Sequence, residues 1–237
     1  MRANEEFLSV ITKSFDAFLN KGTSRSTDKL KPLHGAIARD IAGRLGDSYD
    51  VWSQGYLSDK EVSIQGRYVN KKVDITVVEK QSGMAVAGIA VKFVMQNYSQ
   101  NSNNYFENML GETANIRSAG CPYFQIFIIL DRLPYYNNEK YITRWETFTD
   151  HNVAKYVALS RDNVLTSLHT PDKTLIYVVH LPDAPEGNLH ISDYLEFYRA
   201  IPHDLTLTSH AYPKFGPNVI LNDYERFIDS VIDTIKP

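Results

Sequence analysis

Tyr123-Phe124-Gln125-Ile126-Phe127-Ile128-Ile129-Leu130 is the most hydrophobic run in the chain, and only Gln125 interrupts it. A strand without polar alternation has no face to offer to water, so this one is expected at the centre of a sheet, buried on both sides. Amphipathic helical patterns are available to cover both faces. Phe7, Leu8, Ile11, Phe15, Phe18 and Leu19 recur at helical spacing over residues 5–20, closed by Gly22. A second helix is predicted from Lys31-Pro32 through Leu33, Ile37, Ile41 and Leu45 to Gly46, with Pro in the first turn and Gly just past the end. Asp40 on that helix reads as a solvated acid. Tyr224, Phe227, Ile228, Val231 and Ile235 mark a closing amphipathic helix over 222–235. The fold class is therefore α/β, a central mixed sheet flanked by helices. At 237 residues one large core suffices, and nothing demands more than a single domain over 1–237.

Ahead of the central strand, Lys71-Lys72-Val73-Asp74-Ile75-Thr76-Val77-Val78-Glu79 and Met84-Ala85-Val86-Ala87-Gly88-Ile89-Ala90-Val91-Lys92-Phe93 flank a polar turn at 80–83. Both runs are rich in β-branched residues, and the pattern predicts a β-hairpin. Asp74 interrupts the first strand and Lys92 the second. A charge within a mostly apolar strand costs desolvation energy unless it is paired, binds a ligand or faces solvent. The segments 49–56 and 61–69 are expected as strands leading into the hairpin.

The hairpin is followed by residues 96–105, where six of ten residues are Asn or Gln. This segment is expected to be a loop that caps a helix starting near Ser102 or Asn103, with Tyr105, Phe106, Met109, Leu110 and Ile116 on its apolar face. Capping uses one or two amides, so some of the remainder are candidates for base contact, since Asn and Gln pair bidentately with adenine in the major groove. Arg67, Lys71 and Lys72 crowd the approach to Asp74; phosphate contact and a solvated turn tip are equally good readings of them. Gln125 either faces the same region or is a satisfied buried amide.

An Asp on one strand and an x-x-Lys on the next resembles the PD-(D/E)XK nuclease superfamily, home of most type II restriction endonucleases. Val73-Asp74 stands where that family has Pro-Asp, and Ala90-Val91-Lys92 where it has an acid, any residue and Lys. Strand, strand, helix, strand is also the core order of that superfamily. The resemblance implies a restriction-endonuclease-like core, a site-specific duplex DNA endonuclease, and a homodimer that cuts both strands of a symmetric site. It further implies Mg²⁺ held by Asp74, by the acid position occupied here by Ala90, and by the backbone carbonyl of Val91, with Lys92 beside the attacking water. The implied DNA-contacting set is Arg67, Lys71, Lys72, Gln96, Asn97, Ser99, Gln100, Asn101, Asn103 and Asn104. A non-cutting DNA binder, or a structure-directed repair or defence nuclease, is the alternative on the same fold.

Ala90 departs from the motif, and two accounts compete. In the preferred one, position 90 is an acid in the natural protein and this chain is a catalytically disabled variant, of the kind made to trap uncut DNA. In the other, the acid has migrated to the following helix, as in a subset of restriction endonucleases; Glu107 is then the first candidate by spacing and Glu112 the second.

Other chemistries find no support. There is no G-x-S-x-G elbow, P-loop or dinucleotide fingerprint. The histidines at 34, 151, 169, 180, 190, 203 and 210 show no metal-binding spacing. A single Cys121 excludes an internal disulfide framework and any Cys-based zinc site, fits a reducing cytoplasm, and reads as a small core residue. No run is long enough to span a bilayer, and the acidic residues Glu5, Glu6 and Asp16 are foreign to a signal peptide. The net charge of −3 argues against a general coat of nucleic-acid affinity, but not against a basic cleft. Beyond Asp131 the pattern gives a Pro/Tyr loop at 133–138, a short helix within 145–157, strands at 175–181 and 205–208, a Pro/Gly loop at 182–190 and a helix at 191–200. Arg144, Lys155 and Arg161 read as surface decoration.

Overall fold

A computed structural model describes residues 4–21 and 27–236. Gly22, expected to close the first helix, lies outside the described residues. The first helix, α1, covers Asn4–Lys21, and a 3-10 turn at Thr27–Leu30 leads into α2 at Lys31–Leu45. Gly46 follows α2 at φ 74°, a left-handed conformation without steric cost for glycine.

The sheet begins with β1 (Tyr49–Ser53), β4 (Ile75–Glu79) and β5 (Ala85–Val94), and continues through β6 (Tyr123–Leu130) to β9 (Lys173–His180). β1, β4 and β5 pair antiparallel, whereas β5, β6 and β9 run parallel. The short β10 (Thr206–Leu207) and β11 (Val219–Leu221) share the far edge of β9, one antiparallel and one parallel. Two small ribbons stand apart: β2 (Ser63–Gln65) with β3 (Asn70–Lys72), and β7 (Arg132–Tyr136) with β8 (Ile142–Thr147). The helices α3 (Tyr98–Arg117), α4 (Asp150–Leu159), α5 (Ile191–Ala200) and α6 (Tyr224–Ile235) complete the chain.

All eight residues of β6 are buried, as the uninterrupted apolar run requires. Its two faces meet different helices. Phe124 packs edge-on against Phe227 of α6, on the side where Phe7 of α1 stacks on Tyr224 at 4.0 Å. Phe127 points the other way, to Tyr98 at the start of α3 and Tyr156 of α4. The parallel register sets Lys92 beside Phe127, Ala90 beside Gln125 and Gly88 beside Tyr123. The face of β5 that carries Ala90 and Lys92 is thus the one roofed by α3 and α4. A Cβ on Gly88 would sit 2.6 Å from Ile64 Cδ1, so glycine there lets the β2–β3 ribbon close over the sheet.

Several expectations are corrected. The strand expected from Lys71 to Glu79 breaks at Val73-Asp74, and β3 leaves the main sheet to pair with β2. The break has a cause in Asp74 itself, whose backbone carbonyl accepts from the Ser53 hydroxyl at 2.8 Å while its side chain takes the Val91 amide. The amide-rich segment is not a loop, because α3 already begins at Tyr98. Asn97, at φ 50°, makes that early start possible: its side-chain amide donates to the Tyr136 carbonyl and its Oδ1 accepts from the Tyr136 N–H, both at 3.0 Å. This tertiary anchor overrides the low helix propensity of the asparagines that follow. The expected 133–138 loop is the β7–β8 ribbon, and β11 went unforeseen. Asp40 is not solvated; it accepts from Tyr224 Oη at 3.0 Å and pairs with Arg44 at 3.2 Å, joining α2 to α6. No helix among the described residues is long and apolar enough to cross a membrane.

Candidate active site

A cleft of about 330 Å³ opens where β4 and β5 separate beneath α3. Asp74, Ala90, Val91 and Lys92 form its floor, and Gln125, Phe127 and Tyr123 extend that floor along β6. Lys71, Lys72 and Val73 close one side; Tyr105, Asn108, Met109 and Glu112 of α3 close the other.

Asp74 lies one residue before the Ile75–Ile89 pair, so its side chain reaches across to β5 and accepts the Val91 N–H at 2.7 Å. Burial raises its pKa to about 6 against the usual 3.8; the Val91 hydrogen bond opposes this, and the nearby Glu112 charge adds to it. Lys92 is held 4.4 Å above the Tyr105 ring. Burial lowers its pKa, with Asp74 and Glu112 pulling the other way. An ammonium whose charged form is weakened by desolvation, set beside carboxylates, is suited to hand over or orient a proton.

Glu112 lies in the last third of α3, half-buried, paired with Lys71 Nζ at 2.5 Å and accepting from Tyr123 Oη at 3.3 Å. The structure therefore brings Glu112, rather than Glu107, to the cleft that Asp74 lines. Glu107 is exposed, outside the cleft lining, and faces Lys155 electrostatically.

The donor set fits a hard cation. Asp74 and Glu112 supply carboxylate oxygens. The N–H and C=O of one strand residue point to the same edge, so the Val91 carbonyl is directed to the side on which its amide meets Asp74. Carboxylate and carbonyl oxygens are the ligands Mg²⁺ prefers. Ala90 contributes only a methyl group to this floor.

A second cleft of about 260 Å³ shares Lys92 and Tyr105 with the first and is lined by Lys29, Gln96, Asn97, Gln100 and Asn101. Lys29, which sequence pattern did not single out, has its pKa lowered to about 8 by burial and then by the charge of Lys92. The expected base-reading amides divide into two groups. Asn97 is committed to Tyr136, Ser99 is tied to Glu146 and to Arg144 at 2.9 Å, and Asn101 bonds the Asn97 carbonyl at 3.3 Å. Gln100, Asn103 and Asn104 instead lie on the exposed face of α3, and Asn108, which the sequence reading did not include, continues that stripe to the cleft. Arg67 lies outside the cleft, over the Tyr68 ring, while Lys71 and Lys72 line it. Lys155 is used internally, donating to the Ser102 carbonyl at 2.8 Å.

One cluster was invisible to sequence spacing. His34, Glu61 and Asp74 offer ligand atoms that all lie within 4.8 Å of one another, although they come from α2, a connector and the hairpin. Burial lowers the His34 pKa to about 4 and also raises that of Glu61, with the Asp74 charge adding to the latter.

No protein-family model matches this chain, and no curated protein or solved structure matches it.

Proposed function

We propose that this chain is a Mg²⁺-dependent endonuclease of the PD-(D/E)XK type acting on duplex DNA, with a restriction-endonuclease-like core and with Glu112 in place of the acid missing at Ala90. The observation that carries the reading is that Asp74, Glu112 and Lys92 line one cleft. It favours a migrated acid over a disabled site, because two carboxylates are already present. Bound there, a divalent cation would neutralise charge developing on the phosphate and lower the pKa of a water.

The chain's own groups do the rest. Asp74, its geometry set by the Val91 amide, and Glu112, its charge balanced by Lys71, would hold the cation. Lys92 orients the attacking water and offsets charge on the non-bridging oxygens. Lys72 lies at the same rim for a flanking phosphate, and the amide stripe of α3 supplies groups able to read base edges. Cutting both strands of a symmetric site calls for two copies of the chain.

The test is cleavage of supercoiled plasmid with Mg²⁺ by the chain and by D74N, K92M and E112Q. The chain is expected to cut, and each variant to lose at least about a hundredfold in rate. Full activity in E112Q would remove Glu112 from the site. No cleavage by the unaltered chain, together with salt-sensitive duplex binding, would replace the nuclease with a non-cutting DNA binder.

A further inference from the structure

His34 sits in the first turns of α2, 3% exposed, and neither of its ring nitrogens has a hydrogen-bond partner. A buried polar group left in that state is destabilising, so such a group in a native fold calls for an explanation. Its surroundings offer one. One atom each from His34, Glu61 and Asp74 falls within a 4.8 Å span. Ligands at roughly 2.0–2.2 Å from one ion are separated by about 3–4 Å, so small side-chain adjustments close the set. Neither His34 nor Glu61 lines the cleft that holds Lys92 and Glu112, so this cluster stands apart from the hard-cation ligands and shares only Asp74 with them.

We propose that His34, Glu61 and Asp74 form a second cation site, selective for a first-row divalent transition metal over Mg²⁺, with Mn²⁺ as its probe. One imidazole nitrogen with two carboxylates is a mixed donor set, which such ions accept and which Mg²⁺, preferring oxygen and its own water, does not. The bound ion satisfies the His34 ring and relieves the repulsion between Glu61 and Asp74. It also ties α2 to the strand break. The position of α2 is already fixed by contact, since a Cβ on Gly35 would lie 2.1 Å from the Gly55 carbonyl oxygen. The imidazole is therefore presented from a rigid support. The inference rests on the nuclease reading only in that Asp74 is shared; the binding itself does not require cleavage.

The experiment counts bound Mn²⁺ by electron paramagnetic resonance on the full chain, freed of metal beforehand, with Mg²⁺ as competitor. The unaltered chain should bind two Mn²⁺, only one of them displaced by excess Mg²⁺. H34L and E61Q should each lose the ion that Mg²⁺ does not displace, or bind it at least tenfold more weakly, while E112Q should keep it. Where H34L fails to fold, E61Q, altered at a less buried position, decides. Unchanged stoichiometry and affinity in E61Q, or no Mg²⁺-resistant Mn²⁺ in the unaltered chain, would overturn the proposal. Failure of the nuclease reading looks different: plasmid is left uncut while the H34L and E61Q losses still appear.

Discussion

The Val91 amide donates to Asp74 Oδ2 at 2.7 Å, across a point where β4 has not yet begun and β5 is in mid-course. That bond replaces a rung the ladder would otherwise lack, and it fixes a carboxylate whose burial raises its pKa to about 6. The same contact that ends one strand early therefore also aims the acid into the cleft.

A pH dependence follows for the metal-free protein. The folded pKa of Asp74 lies above the ordinary 3.8, so the native chain holds this proton more tightly than the unfolded chain. Its contribution is most favourable below about pH 4 and is lost as pH rises through about 6, by on the order of 3 kcal/mol in total. D74N, which keeps an acceptor for Val91 but no charge, should gain on the unaltered chain over that window. Urea denaturation in EDTA at a series of pH values measures the difference. A gap that stays constant between about pH 4 and pH 7 would contradict the burial argument.

The amides of α3 should separate by role. N97A removes both bonds to Tyr136 and leaves alanine at φ 50°, so it should cost about 2–3 kcal/mol in stability. N104A, on the exposed stripe, should change stability by less than about 0.5 kcal/mol. Its effect should appear in binding, as a reduced preference among duplex sequences measured at one fixed salt concentration. Equal stability loss in both variants would show that the stripe is structural.

Why some of this was legible in the sequence and some was not follows from range. β6, α2 and α5 are set by local periodicity and punctuation, and Ile191–Ala200 was read to the residue. The strand break at Asp74 and the early start of α3 depend on Ser53, Val91 and Tyr136, partners 17 to 39 residues away. No window of local pattern contains them. Glu112 was visible as an acid on the helix after the hairpin, but its approach to the cleft depends on Lys71 and Tyr123, which no local window joins to it. His34 and Glu61 belong to a three-element cluster, which spacing rules built for ligands on a single helix or turn do not find.

Arg117 should be among the most sensitive positions outside the cleft. From the last turn of α3 it donates to the carbonyls of Val164, Ser167 and Thr170, and it pairs with Asp172 at 3.0 Å. Asp172 in turn accepts the Tyr123 amide at the head of β6. R117A leaves a shielded carboxylate and three carbonyls without their cation, which should cost about 3–5 kcal/mol. R117K keeps the charge without the planar fork and should recover only part of that loss. Chemical denaturation of the three proteins measures both effects, and a cost below about 1 kcal/mol for R117A would refute the assignment.

Ala90 provides the sharpest discrimination between the two origins of the second acid. Its methyl group lies on the cleft floor beside Gln125 and opposite the α3 residues that carry Glu112. If Glu112 already completes the ligand set, A90E adds a third carboxylate to a site that burial makes costly for charge, and cleavage should change by no more than about tenfold. In E112Q the same substitution should have the opposite effect. The double variant A90E/E112Q restores two carboxylates, one now from β5, and should recover at least about tenfold of the rate lost by E112Q alone. Lys71, released from Glu112, is close enough to the cleft to remain a phosphate contact in that background. Plasmid cleavage by the four proteins under one Mg²⁺ concentration reads the comparison. A gain of several orders of magnitude in A90E itself would instead mean that the floor of the cleft, not α3, is where the second acid belongs, and that the chain with Ala90 is a disabled enzyme.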